Sequence, residues 1–229
     1  MKIFFYIAVL FFLQGLQAQI TLPIPLNIKS ALYKGTRSAD GKPGKNYWQN
    51  FAVYDIDVSF DPETRLLKGN VAINYTNKSP DTLKQVEFKL YPNLYKKGSP
   101  RLTKIDPDDL GDGVIIEKLM VNDDSIPTKN YQIDGTNMNV RIKPLLAGQS
   151  MKFNISYSYT LNKGSHNRTG EVEIGAYFIA YFFPRITVYD DIDGWNENPY
   201  LGTQEFYNDF CNFRLTVHVP AAYTVWATG

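Results

Sequence analysis

This chain predicts an all-β fold: a twisted antiparallel sheet packed on a second sheet or curled on itself. Three observations carry that. Apolar residues recur at every second position through Tyr54, Ile56, Val58 and Phe60, through Val71, Ile73 and Tyr75, and through Met151, Phe153, Ile155, Tyr157 and Tyr159. Period two is the period of a pleated strand with one wet face. Turn residues such as Asp61-Pro62 and Ser79-Pro80-Asp81 punctuate the runs. No stretch holds a convincing helical period.

The chain opens with Met1-Lys2, an apolar core IFFYIAVLFFL, and small Ala18 before Gln19. That order is a secretory signal peptide over residues 1–18, and the core is too short for a membrane span. The mature chain is expected to be exported, to the periplasm or beyond, with no stable membrane span. Residues 19–46 hold Pro23, Pro25, Pro43, Gly35, Gly41 and Gly44, and read as an extended arm. Residues 47–229 form the β-domain. A formal net charge of +1 gives no reason to expect nucleic acid or an anionic membrane as partner. Roughly 210 residues after such a cut can bury a full core without staples. The single cysteine, Cys211, rules out an internal disulfide and sits among aromatics as a small apolar residue.

Val86, Phe88 and Leu90 alternate with Gln85, Glu87 and Lys89, giving a strand with a wet face that Pro92 stops. Residues 93–113 are polar and turn-rich, a solvated excursion. Their acids do not match an EF-hand loop. Val114 to Val121 is the next strand. Tyr131 to Ile133 and Met138 to Ile142 flank Asp134-Gly135, a hairpin signal. After the strand ending at Tyr159, residues 161–170 are polar and turn-like. The stretch from Ala176 to Phe210 organises the rest. Its apolar run, Tyr177 to Phe183, reads as a fully buried strand; a long loop follows, with Asp190-Asp191, Gly194-Trp195 and Asn198-Pro199. The chain is expected to re-enter a strand near Phe206. Phe213, Leu215, Val217 and Val219 alternate, and Tyr223, Val225 and Ala227 start one more strand. The end at Gly229, inside that pattern, points to a piece of a longer protein.

Catalytic patterns are sparse. The two histidines, His166 and His218, lie in different elements, with no His-Glu-x-x-His, no Gly-x-Ser-x-Gly elbow and no phosphate or dinucleotide loop. Glu171 and Glu173 are two acids at i and i+2 on one strand face. Such a chain is expected to be a binding, scaffold or accessory domain.

The words Asn167-Arg168-Thr169-Gly170, Phe182-Phe183-Pro184-Arg185-Ile186, Val188-Tyr189-Asp190-Asp191, Gly194-Trp195, Leu201-Gly202 and Val219-Pro220-Ala221 fall in a characteristic order. Earlier words, Asp55-Ile56-Asp57-Val58, Asn74-Tyr75-Thr76-Asn77 and Leu90-Tyr91-Pro92-Asn93, extend it. The order resembles the N-terminal domain of the aminopeptidase N (M1) family of zinc metallopeptidases, in its Bacteroidetes-type branch. The resemblance implies a saddle-like β-sandwich that walls the substrate cleft and is not catalytic alone. It implies zinc in a separate catalytic domain absent from this chain, that domain as partner, and a peptide as substrate. It implies that the loop bearing Phe183, Arg185, Asp190, Asp191 and Trp195 docks on the catalytic domain. It implies a carboxylate for the substrate's amino group, for which Glu173 and Glu171 are the candidates ahead of the aromatic-Pro segment, though neither stands in a Thr-Gln-x-Glu setting. A stand-alone exported module for carbohydrate or protein is the other reading.

Overall fold

The computed structural model describes residues 22–228, so the signal-peptide reading of residues 1–18 lies outside the described residues. The chain divides into two compact units, residues 1–47 and 48–229.

The first unit holds a helix where the sequence suggested an extended arm. Helix α1 (Leu26–Lys34) ends at Gly35, whose φ of 71° is the left-handed cap that favours glycine. The chain then folds back: Gly44 donates to the Thr36 carbonyl at 2.9 Å and Asn46 donates to the Gly35 carbonyl at 3.0 Å. A Cβ at Gly44 would lie 2.1 Å from the Gly35 oxygen, so only glycine fits this close approach. The helix is short and follows two prolines, which masks its period in the sequence.

The second unit is built of strands: β1 (Phe51–Asp61), β2 (Leu66–Thr76), β3 (Leu83–Lys89), β4 (Ile115–Val121), β5 (Asp124–Ser125), β6 (Tyr131–Asp134), β7 (Asn137–Leu145), β8 (Ser150–Thr160), β9 (Thr169–Glu173), β10 (Ala176–Ile179), β11 (Arg185–Ile186), β12 (Tyr189–Asp190), β13 (Gly194–Trp195) and β14 (Cys211–His218). One sheet has six strands in the order β14-β1-β2-β8-β4-β5, and a second has four in the order β11-β3-β7-β6. Every pairing in them is antiparallel except β14 on β1, which is parallel. The fold is therefore all-β, as the alternation predicts.

The two sheets share one core. Phe88 of β3 meets Phe153 of β8 edge to face, 5.4 Å between ring centres, and Val86, Met138 and Val140 of the smaller sheet join the same cluster as Ile56, Val71 and Ile155 of the larger. The Ile186 amide donates to the Tyr54 hydroxyl at 3.1 Å, a polar tie between the sheets. The outer face of the six-stranded sheet is wet, with Ser156 donating to Asn70 and Arg214 paired to Asp55. Gly69 on β2 lies opposite Tyr157 on β8. A Cβ there would sit 2.5 Å from the ring, so the missing side chain is what lets the tyrosine lie flat in the core.

Five further expectations need correction. The run from Tyr177 to Phe183 is not one buried strand. It is split by Tyr181, whose φ of 56° breaks the extended path, and β10 pairs only with β9 in a separate hairpin. The chain does not re-enter a strand near Phe206, because that ring is drawn into an aromatic cluster with Tyr91, Tyr181 and Tyr200, and β14 starts at Cys211. Tyr223 to Ala227 forms no strand. Finally, β3 has no wet face at Glu87 and Lys89, which are both buried. Lys89 Nζ donates to Asn137 Oδ1 at 2.6 Å and to the Asn198 carbonyl at 2.5 Å, so the loop after β13 covers it. Similarly, Asp109 in the excursion at 93–113 is buried rather than solvated. It accepts from the Gly164 amide at 2.6 Å and faces His166 Nε2 at 3.0 Å.

Two outcomes follow. Gly69→Ala should cost about 1–3 kcal/mol of unfolding free energy in urea, by overpacking against Tyr157; unchanged stability would mean that the ring moves aside freely. Burial lowers the Lys89 ammonium from 10.5 to about 8. The unfolded chain then binds more protons than the native one between those values, so stability rises with pH across that window. The stability gap between the wild-type chain and Lys89→Met should shift in favour of the wild type from pH 8 to pH 10. A gap independent of pH would contradict it.

Candidate functional site

The loop bearing Phe183, Arg185, Asp190, Asp191 and Trp195, within the stretch from Ala176 to Phe210, is expected to dock on a catalytic domain. The structure places most of them on the domain itself. Phe183 is half-buried, 5.6 Å from Tyr54 and 6.0 Å from Phe213 by ring centres. Arg185 stands 5.2 Å over the Phe213 ring and donates through Nη2 to the Asp209 carbonyl at 3.0 Å. Asp190 closes the turn between β12 and β13. Its Oδ1 accepts from the Ile192 and Asp193 amides at 2.9 and 2.8 Å, and its Oδ2 accepts from the Tyr207 hydroxyl at 3.3 Å. Asp191 beside it is half-buried. Trp195 packs on Tyr189 at 5.0 Å and on Tyr75 at 6.3 Å, and Trp48 stacks on the same Tyr189. Phe183, Arg185, Asp190 and Trp195 thus hold the path that delivers the chain to β14.

Glu171 and Glu173 lie on β9, in the hairpin with β10. Glu171 Oε1 accepts from the Gly175 amide at 3.1 Å, which stiffens the two-residue turn. Glu173 is exposed, and the register slips between Ala176 and Tyr177, so Val172 is left as a bulge. Around the pair the hairpin shows apolar side chains to solvent: Val172, Phe178 and Ile174, the last 99% exposed. Among the described residues no group of three His, Cys, Asp or Glu side chains could hold a metal ion, so a zinc site does not fit the residues present. No described helix is long and apolar enough to cross a membrane.

The feature that the sequence pattern undersold is β14. It is the edge of the six-stranded sheet. In parallel register Phe213 sits beside Tyr54, Leu215 beside Ile56 and Val217 beside Val58. Their neighbours on β1 are buried, yet Phe213 is 46% and Leu215 39% exposed. Arg185 of β11 stands over Phe213 and still leaves the ring part-exposed. Beyond the strand, Tyr223, Val225 and Trp226 continue the apolar display, with Trp226 at 95% exposure. The alternation in the sequence marked the strand, but only the topology shows it unpaired on one side. Cys211 at its start is half-buried, with its thiol pushed up by burial, the direction of an inert side chain.

Trp195→Ala should cost the isolated chain about 2 kcal/mol in urea unfolding, because its ring is held by Tyr75 and Tyr189. A loss below measurement error would return Trp195 to the set of outward-facing residues.

No protein-family profile matches this sequence, and no curated protein matches it. Solved structures similar to it include an M1 zinc metallopeptidase from Deinococcus radiodurans, at 15% identity and a TM-score of 0.43, over 79% of this chain and 35% of that one. Yeast LTA4 hydrolase in complex with bestatin matches at 11% identity and a TM-score of 0.41, over 86% of this chain and 27% of that one. Legionella pneumophila aminopeptidase A in complex with aspartic acid matches at 6% identity and a TM-score of 0.34, over 53% and 11%. This chain spans about a third or less of the length of each.

Proposed function

We propose that this chain is the N-terminal β-domain of an exported zinc metallopeptidase of aminopeptidase type, a scaffold for one wall of the substrate cleft that is not catalytic alone. One observation carries the reading: β14 is an open edge with an apolar inner side. Natural sheets protect their edges with inward charges, prolines, bulges or very short strands. β14 has eight residues, no proline and no charge on its core-facing side. An unprotected edge continuous with the core is a surface prepared for another module. The words shared with the aminopeptidase N pattern favour a catalytic domain as that module, with the metal and its ligands there. The signal-like start supports export.

In this reading the peptide substrate runs past the β9–β10 hairpin. The exposed Glu173, with Glu171 behind it, is the carboxylate offered to the substrate's free ammonium, since opposite charges pair in a cleft that excludes water. The loop through Phe183, Arg185, Asp190, Asp191 and Trp195 sets the shape of the wall from within.

The coding sequence downstream of residue 229 should carry His-Glu-x-x-His. In the parent protein, Leu215→Lys should lower the melting temperature and the peptidase rate. In the isolated chain the same change should move stability by no more than about 0.5 kcal/mol, as an exposed site does. A parent protein indifferent to Leu215→Lys, or a frame without the metal motif, would overturn the reading and leave a stand-alone binder of carbohydrate or protein.

A further inference from the structure

The outer face of the four-stranded sheet carries a hollow of about 230 Å³ lined by Glu87, Gln132, Asp134, Asn137, Asn139 and Glu197. Its walls come from β3, β7, β6 and the loop after β13, so residues 110 positions apart in the chain are brought to one place. The register sets two rungs. Glu87, Asn139 and Gln132 lie across one, and Lys89, Asn137 and Asp134 across the next. Glu197 closes the side, and its own carbonyl accepts from Asn137. None of the lining side chains is aliphatic or aromatic, so the hollow offers nothing to an apolar ligand.

Its charge is unbalanced. Three carboxylates face one cation, Lys89, whose ammonium already donates to Asn137 and to the Asn198 carbonyl. Glu87 is only 3% exposed. Its Oε2 accepts from Asn139 at 2.9 Å, and among the described residues no other hydrogen bond to its carboxylate is found, which leaves Oε1 to the hollow. Burial above all, and also the nearby Glu197, push its carboxyl up, against the Asn139 hydrogen bond and Lys89, which pull it down. The carboxylates do not converge as metal ligands do. Glu87 on β3 and Asp134 on β6 stand on strands separated by β7, about 9.6 Å apart, and one rung apart along them, while Glu197 lies in the loop after β13. A group that satisfies the two carboxylates nearest one another, Glu87 and Glu197, must be cationic and carry several donors. The guanidinium, planar with five N–H donors in a fork, has that form; an ammonium is a point charge.

We propose that this hollow is a binding site for a guanidinium group, the arginine side chain of a peptide or protein partner, with Glu87 and Glu197 as its charged anchors and Asp134 at its far rung. The inference is independent of the peptidase reading, because it rests on a different sheet from β14 and does not need a second domain.

The test titrates the purified chain with N-acetyl-arginine methylamide and, in parallel, with its neutral isostere N-acetyl-citrulline methylamide, and follows side-chain amide resonances by NMR. The arginine derivative should give saturable shifts at Asn137 and Asn139, and the citrulline derivative should not. Glu87→Gln and Glu197→Gln should each weaken binding about tenfold or more, the loss of one charge-assisted bond. Glu197 is an exposed loop residue, so its variant folds even where Glu87→Gln does not. Equal binding of both derivatives, no saturable shift with either, or full affinity in Glu197→Gln would overturn the assignment. An N-acetyl-lysine methylamide that binds as tightly as the arginine derivative would overturn the preference for a planar fork.

Discussion

The structure depends on one mismatch: six strands are covered by four. The inner face of the larger sheet is apolar from β14 to β4, and apolar area left in water costs about 25 cal/mol per Å². The smaller sheet removes that cost where Phe88 meets Phe153 and where Val86, Met138 and Val140 fill the space beside them. At β14 it leaves Phe213 and Leu215 part-exposed, with Arg185 of β11 over the Phe213 ring. Tyr54, Ile56 and Val58 on β1 are buried, while their parallel partners one strand further out are not. The boundary of the core therefore falls between two adjacent strands of one sheet, and the open side of that boundary is where the protein has surface to offer.

The long loop is the device that makes this edge possible. A parallel neighbour for β1 needs a crossover, and here the crossover is built of bridges and aromatic stacking instead of a helix. Tyr181, Tyr200 and Phe206 gather with Tyr91 into a satellite cluster beside the main core. Asp190 closes the small turn before Trp195, and Arg185 holds both the Asp209 carbonyl and the face of Phe213. Phe183, Arg185, Asp190 and Trp195 each hold a part of this loop to the domain. The same loop passes over β3 and shuts Lys89 away, and in doing so makes one wall of the polar hollow.

Strands were legible in the sequence wherever one face is dry and the other wet, because period two survives only under that condition. β1, β2 and β8 were read with their buried residues correct for this reason. The hairpin at Asp134-Gly135 was legible from turn chemistry, since Gly135 takes the positive φ such a turn requires. What failed was non-local. Nothing near Glu87 or Lys89 shows that residues 197 and 198 will cover them. The apolar string at Tyr177 to Phe183 gives no sign of the left-handed residue that cuts it. Helix α1 is too short, and too close to Pro23 and Pro25, for its period to stand out. Of the candidate site, Glu171 and Glu173 could be assigned to an exposed strand, but their hairpin could not be foreseen. β14 was legible as a strand and illegible as an edge, because edge position is a property of the sheet, not of the segment.

Amide hydrogen exchange tests the mismatch most directly. In the isolated chain, the β14 amides that point away from β1 should exchange far faster than those of β1, β2 and β8, since no strand lies beyond them. In the parent protein the same amides should become protected as the edge is covered. If β14 is protected in the isolated chain to the level of β1, and does not change in the parent, then the edge is closed by the domain itself and the account is wrong.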